Sequence, residues 1–233
     1  MTTGTTEHIV LSAEALLQPI LAAPSTKPFV VAQLGQSLDG RIATPTGESR
    51  WINKDCALDH VHRLRASVDA VVVGIGTVIA DDPLLNVRRA KGPNPARVVI
   101  DPKGRLPLNP RLAHDDGART LVIRAIDAPA PKGMEIIRLE GVKLDPNIIV
   151  AALFARGLKR LLIEGGAWTV SEFIDADAVD HLHVLVGPLI LGSGKTGLSL
   201  RPITALAEAK RPKTRVHVLP DGDVIFDCDL RST

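Results

Sequence analysis

No tyrosine occurs in this chain, and with four phenylalanines and two tryptophans the aromatic share is only 3%. A core of the size that 233 residues allow must therefore be built from Val, Ile, Leu and Ala, which suits buried parallel strands covered by helices. The sequence also lacks any basic run, and its few aromatics are not interleaved with Lys or Arg. With a formal charge of only +2, these absences argue against a nucleic-acid surface. Cysteine is nearly absent as well. Cys56 and Cys228 stand far apart, in no metal-ligand spacing, and read as two reduced thiols of a cytoplasmic protein. No apolar stretch is long enough to span a bilayer, and Met1 to Thr6 lack the basic start and apolar centre of a secretory leader. The expectation is a cytoplasmic protein with no membrane and no nucleic-acid partner.

What is present is an alternation of apolar runs and helical patterns. Ser12 caps a short helical pattern that Pro24 and Pro28 end, so residues 1–27 read as an extension and 28–233 as the main domain. Strands are expected at Phe29–Leu34, Asp69–Gly74, Arg97–Asp101, Thr120–Arg124, Glu135–Leu139, Arg160–Glu164 and Val179–Val186. Helices are expected from Asn53, as cap, to Ala66, from Pro146 to Arg156, and from Trp168 to Ile174. Pro220-Asp221-Gly222-Asp223 lies between two short apolar segments and signals a C-terminal antiparallel hairpin. The fold class is α/β: three layers, with a mixed, mostly parallel central sheet and helices on both faces.

Two segments carry the densest chemistry. Val31 to Ala43 and Gly74 to Arg88 are each apolar runs that break into Gly, Ser, Thr, Asp and Arg, as strands do where they end at a ligand crevice. Gly74-Ile75-Gly76-Thr77 falls short of a dinucleotide fingerprint, because Ile79 holds the third glycine position; it reads as a turn leading to Thr77. Gly192-Ser193-Gly194-Lys195-Thr196 imitates a phosphate loop, but Leu189 stands where the first glycine is required, and the segment reads as a mobile loop. Glu164-Gly165-Gly166 joins a strand to a helix whose first N–H groups are free to meet a phosphate; a plain tight turn is the competing reading. Ser49, Arg65 and Arg88 can form a fork for an anion, or Arg65 is a surface charge complementing its helix dipole; Trp51 offers a flat surface for stacking or anchors its loop. Of Asp81 and Asp82, one reads as a turn or N-cap residue. His60 and His62 cannot share a helix face; His181 and His183 share a strand face, but no third ligand is evident, so no metal site is expected. Neither His-x-Glu nor Pro-Cys-x-x-Cys occurs, which rules out zinc deaminase chemistry of that pattern.

Taken in order, Ser37-Leu38-Asp39-Gly40-Arg41, Ser49-Arg50-Trp51-Ile52, Arg65, Gly76 to Arg88, Ile163-Glu164-Gly165-Gly166 and Pro188 to Gly194 resemble the reductase domain of riboflavin biosynthesis. That domain is C-terminal in bifunctional deaminase–reductases and also occurs as a stand-alone pyrimidine reductase. The resemblance implies a dihydrofolate-reductase-like fold, NADPH as cofactor and a homodimer. It implies reduction of the ribosyl group of a ribosylamino-pyrimidine 5′-phosphate to the ribityl product, an activity of the 5-amino-6-(5-phosphoribosylamino)uracil reductase type. Whether the pyrimidine is deaminated or still carries both amino groups stays open. Cofactor contacts would come from Gly35, Trp51, Thr77, Asp81, Gly165, Gly166, Ala167, Trp168 and Thr169. Substrate contacts would come from Ser49, Arg65, Leu85, Arg88 and Glu164, with Glu164 or Asp39 as candidates for proton transfer. Pro102 departs from the pattern, since many relatives have a hydroxyl residue after the strand-ending Asp101; Lys103 or Arg105 is then a substitute contact for the cofactor's 2′-phosphate. The deaminase domain is missing, so a stand-alone reductase is expected. Two further readings are an NADPH oxidoreductase of the same fold acting on another small substrate, and a non-catalytic partner of a separate deaminase.

Overall fold

The computed structural model describes residues 14–141 and 144–232. Its strands, in chain order, are β1 (Phe29–Ser37), β2 (Arg41–Ala43), β3 (Ala70–Gly74), β4 (Ala96–Ile100), β5 (Thr120–Arg124), β6 (Glu135–Arg138), β7 (Arg160–Glu164), β8 (His181–Gly187), β9 (Lys195–Thr196), β10 (Lys213–Val218) and β11 (Val224–Asp229). The helices are α1 (Gln18–Leu21), α2 (Asp55–Ala66), α3 (Ile75–Asp81), α4 (Pro146–Phe154) and α5 (Ala167–Asp175). Nine strands form one sheet in the order β10-β11-β8-β1-β7-β3-β4-β5-β6. The run from β8 to β6 is parallel throughout, and β11 and β10 add the antiparallel hairpin at one edge. Strand β7 enters late in the chain yet lies between β1 and β3, so the order reverses there and a crevice opens at the carboxyl ends of these three strands.

The Val-rich strands are buried on both faces. Val31, Val71, Val73 and Leu162 pack with Leu64 of α2 and Val78 of α3 on one face. Val30, Ala32, Val72, Leu161 and Ile163 pack with α4 and α5, through Ile149, Leu153, Val170 and Phe173, on the other. Each such side chain stabilises the fold by about 1.5–3 kcal/mol through removal from water. Leu16, Leu17 and Ile20, just ahead of the main domain, are also buried, against the α2 face. The expected cap Ser12 lies outside the described residues. Among the described residues no helix is long and apolar enough to cross a membrane.

Four local expectations change. Asn53 does not cap α2: its side-chain amide donates to the Leu185 carbonyl (3.3 Å) and to Asp223 (3.2 Å). The helix start is capped instead from the hairpin turn, where Asp223 accepts the Lys54 N–H and Asp221 the Cys56 N–H, both at 2.8 Å. Gly76 and Thr77 lie within α3, a short helix rather than a turn, and Asp82 closes that helix at φ +37° instead of opening another. The segment around Gly192 is not loose: Lys195 and Thr196 pair with β2, and the Leu191 and Gly192 N–H groups bind Asp39.

The third ligand not evident beside His181 and His183 comes from β11. The sheet sets Glu164, Gln33, His183, Asp227 and Arg215 in one register across five strands, all on the α2 face. The donor atoms of His181, His183 and Asp227 lie within 4.8 Å of one another. Most of their polar atoms are already hydrogen-bonded, His183 Nε2 being the exception. Arg231 can only donate, so His181 Nε2 (2.9 Å away) accepts, and its Nδ1–H goes to Asp227 at 3.1 Å. A metal on Nδ1 would require a proton on Nε2, facing that guanidinium. His60 Nε2 meets His183 Nδ1 at 2.9 Å, and Arg215 holds the other Asp227 oxygen at 2.6 Å. The cluster is a buried hydrogen-bond network, and burial, then His183, holds His60 well below its usual pKa. Folded His60 therefore stays neutral while the unfolded chain takes up a proton below about pH 6.5, so stability falls as pH drops through that value. Urea unfolding from pH 7 to pH 5 should show a loss approaching about 1.4 kcal/mol per pH unit from this residue, removed in His60→Gln.

Candidate active site

Two cavities flank the exit of β7. The first, about 470 Å³, is walled by Gly74, Gly76, Gly166, Trp168 and Thr169, with Lys103 and Arg105 on the opposite side. Two of its glycines, Gly74 and Gly166, leave no room for a side chain, whereas Gly76 faces open space. A Cβ on Gly74 would fall on Thr169 Oγ1, and one on Gly166 would come within 2.9 Å of Thr77 Oγ1. Gly165 and Gly166 also hold φ of +70° and +72°, a region costly for other residues. Gly166 sits at the N-cap of α5 with no side-chain cap, so no side chain occupies the first-turn N–H groups of that helix. Across the cavity, Asp101 accepts the Arg105 and Leu106 N–H groups, both at 2.9 Å, and fixes the loop that carries the two cations.

The second cavity, about 200 Å³, is lined by Gln33, Asn53, Val61, His62, Arg65, Arg88 and Glu164 among others. Arg65, 7% exposed, reaches from α2 to Glu164 at the end of β7 through two hydrogen bonds, Nε–Oε2 at 2.7 Å and Nη2–Oε1, while its Nη1 donates to the Asn86 carbonyl at 3.0 Å. Burial opposes the charge on Arg65, but the Glu164 carboxylate outweighs it and raises the guanidinium above its usual value. Arg88 is pulled down by burial and by Arg65. His62 is lowered to about 4 by burial, then by Arg65 and Arg88. Its Nδ1 accepts the Arg88 N–H at 3.2 Å.

The structure thus brings together Gly166, Trp168 and Thr169 in one cavity and Arg65, Arg88 and Glu164 in the other. Thr77 and Gly165 meet between the helix starts, and Gly35 lies where a Cβ would fall on Asn53. Leu85 is 2% exposed, with its side chain in the apolar core at φ +53°, and lines neither cavity. Ser49 and Trp51 line neither cavity; Trp51 is 76% exposed at φ +74°. Asp81 and Ala167 border the first cavity's helices without lining it.

Two assignments change. Arg65 is committed to Glu164, which leaves Arg88 as the open cation of the proposed phosphate fork. Asp39 accepts from Ser37 Oγ (2.6 Å), Leu191 N (3.1 Å) and Gly192 N (2.7 Å), and the Ser37 hydroxyl first, then Leu191, lowers it to about 2. An acid so readily ionised is a poor proton donor; it anchors the chain around residue 191. Sequence reasoning missed Gln33, Asn53 and His62 as lining residues. The i, i+3 spacing of His62 and Arg65 on one helix could have shown the last.

This geometry agrees with what the chain resembles. The model of the RibD C-terminal domain matches residues 28–218. The chain belongs to that family. It is 35% identical over 216 residues to the 2,5-diamino-6-ribosylamino-4(3H)-pyrimidinone 5′-phosphate reductase of Methanothermobacter thermautotrophicus, covering 88% of this chain and 99% of that one. The Archaeoglobus fulgidus protein of the same name is 36% identical over 182 residues, 71% of this chain and 83% of its own. Among solved structures, a deaminase/5-amino-6-(5-phosphoribosylamino)uracil reductase from Thermotoga maritima superimposes with a TM-score of 0.78 and 28% identity, over 93% of this chain and 60% of its own length.

Glu164→Gln would leave the buried Arg65 charge without its partner. The expected cost is about 3 kcal/mol in urea unfolding, and the double change Arg65→Met with Glu164→Met should cost less than the two single changes summed.

Proposed function

We propose that this chain is an NADPH-dependent reductase that converts the ribosyl group of 2,5-diamino-6-ribosylamino-4(3H)-pyrimidinone 5′-phosphate into a ribityl group in riboflavin biosynthesis. The observation that carries the reading is the pair of cavities split by Glu164-Gly165-Gly166, one a glycine cradle with two cations, the other a cationic pocket around one carboxylate. The diamino substrate is favoured over the deaminated one because the archaeal relatives named for it match this chain over most of their own length.

The first cavity fits a dinucleotide. Gly74 and Gly166 let Thr169 and Thr77 pack close beneath the helix start, α5 presents uncapped N–H groups to a diphosphate, and Lys103 and Arg105 suit a 2′-phosphate where Pro102 offers no hydroxyl. When bound, the nicotinamide supplies the hydride. The chain's own residues then position the second ligand. Arg88 faces the 5′-phosphate, with Ser49 and Leu85 as further contacts. Glu164, locked by Arg65, accepts hydrogen bonds from polar groups beside the ring-opened sugar carbon. With Asp39 occupied elsewhere, water is the proton source. Gly35, Trp51, Thr77, Asp81 and residues 165–169 complete the cofactor side. In this reading residues 28–233 form the reductase, residues 1–27 an extension, and the protein acts in the cytoplasm as a homodimer; β10 offers a free sheet edge, with Val216 and Val218 51% and 68% exposed.

The test is loss of NADPH absorbance with the diamino and deaminated ribosylamino-pyrimidine phosphates side by side. Turnover of the diamino compound is expected, and no turnover of either would overturn the reading. Arg105→Ala should lower the preference for NADPH over NADH by about tenfold or more, read as a ratio of kcat/KM values.

A further inference from the structure

His62 lies at the heart of the second cavity, yet neither its ring nor its helix position is used by the reaction as proposed. The stripe Leu58, Val61, His62 and Arg65 turns one face of α2 toward that cavity. His62 is 3% exposed. The charged groups that act on it are Arg65, Arg88, Glu164 and Arg89.

Two facts fix its state. A backbone N–H can only donate, so His62 Nδ1, at 3.2 Å from the Arg88 N–H, is an acceptor and carries no proton. Burial and the two arginines keep the ring neutral through the neutral pH range, so the single ring proton is on Nε2. Among the described residues Nε2 has no hydrogen-bond partner, and the ring borders the cavity. The segment that His62 holds is strained. Asp82 and Leu85 have φ of +37° and +53°, and Asn86 to Arg88 belong to no helix or strand. Three contacts tie its end, residues 86–88, down: Arg65 to the Asn86 carbonyl, Asn94 to the Val87 N–H at 2.7 Å, and His62 to the Arg88 N–H. Two of the three come from α2, one turn apart.

We propose that His62 is a substrate-positioning residue: it ties the Arg88 main chain to α2 and presents a fixed Nε2–H donor to the anionic group that Arg88 faces. This rests on the reading of the second cavity as the site of a phosphorylated substrate. It assigns His62 a role in binding, not in proton transfer. A neutral donor adds a hydrogen bond for phosphate oxygen without a third positive charge beside Arg65 and Arg88, whose repulsion would otherwise weigh on the empty pocket.

The experiment compares His62→Ala, His62→Asn and His62→Gln. Asparagine keeps an acceptor near Nδ1 and glutamine a donor near Nε2, so each retains half of the proposed role. His62→Ala should raise KM for the pyrimidine phosphate about tenfold or more, with KM for NADPH unchanged and kcat within about threefold; the other two should fall between it and the native protein. An unchanged substrate KM in all three, or a collapse of kcat at constant KM with loss of one limb of its pH profile, would overturn the proposal. Nitrogen-15 NMR of the His62 ring gives a readout free of turnover. An Nε2–H tautomer is expected from pH 8 to pH 5, with a shift on adding ribose 5-phosphate, and about tenfold weaker binding of that probe in His62→Ala. An Nδ1–H tautomer, or no response to ribose 5-phosphate, would refute it. If the pyrimidines are not turned over but the ring responds as stated, the proposed reaction fails and the anion-positioning role stands.

Discussion

The buried ion pair of Arg65 and Glu164 is the contact on which the rest of the site depends. It joins the last turn of α2 to the end of β7 and reaches on to the Asn86 carbonyl. Neither charge is tolerable there alone, since desolvation of an unpaired ion outweighs anything packing could return. The pair therefore forces three elements, distant in sequence, to close on one point. Everything nearby is arranged around the charge left over. Arg88 lies next to Arg65 with its own charge disfavoured, and His62 is kept neutral between them. The pocket is thus deficient in negative charge before any ligand enters, which is the electrostatic condition for holding a phosphate ester.

Much of this was legible along the chain. The strand ends were readable because an apolar run that breaks into Gly, Asp or Glu is a local signal, and Glu164-Gly165-Gly166 sits where that signal placed it, between β7 and α5. The covered parallel sheet followed from Val-rich runs and a shortage of aromatics. What was not legible depends on partners far away in sequence. The cap on α2 comes from Asp221 and Asp223, whose local pattern announces only a turn. Asp227 joins His181 and His183 only once β11 has paired with β8 in one particular register. Asp39 was misread for a different reason. Its neighbour Ser37, two residues away, is a local partner that was available in the sequence, but the two N–H groups that complete its shell arrive from residues 191 and 192.

The two cavities are walled differently. On one side of β7, glycines at the strand and helix starts leave the wall open between the side chains of Trp168, Thr169, Lys103 and Arg105. On the other side long side chains from α2 and from the 82–88 segment do the contacting. Gly165 and Gly166 mark the boundary, and their positive φ values turn the chain sharply enough for one strand end to serve both.

The single transverse row of Glu164, Gln33, His183, Asp227 and Arg215 has a consequence for how this protein can change. Strand side chains alternate faces, so inserting or deleting one residue in β1 would carry Gln33 to the α4–α5 side and bring Leu34 or Ala32 beneath the pocket. The same slip would push Val30 out of one core and Val31 out of the other. The pocket residues Gln33 and Glu164 continue the same strand face that carries Val31 and Leu162 in the core. New specificity can therefore arise by substitution on the strands or by length changes in the loops, whereas length changes within β1, β7 or β8 would take Gln33, Glu164 or His183 off the pocket face.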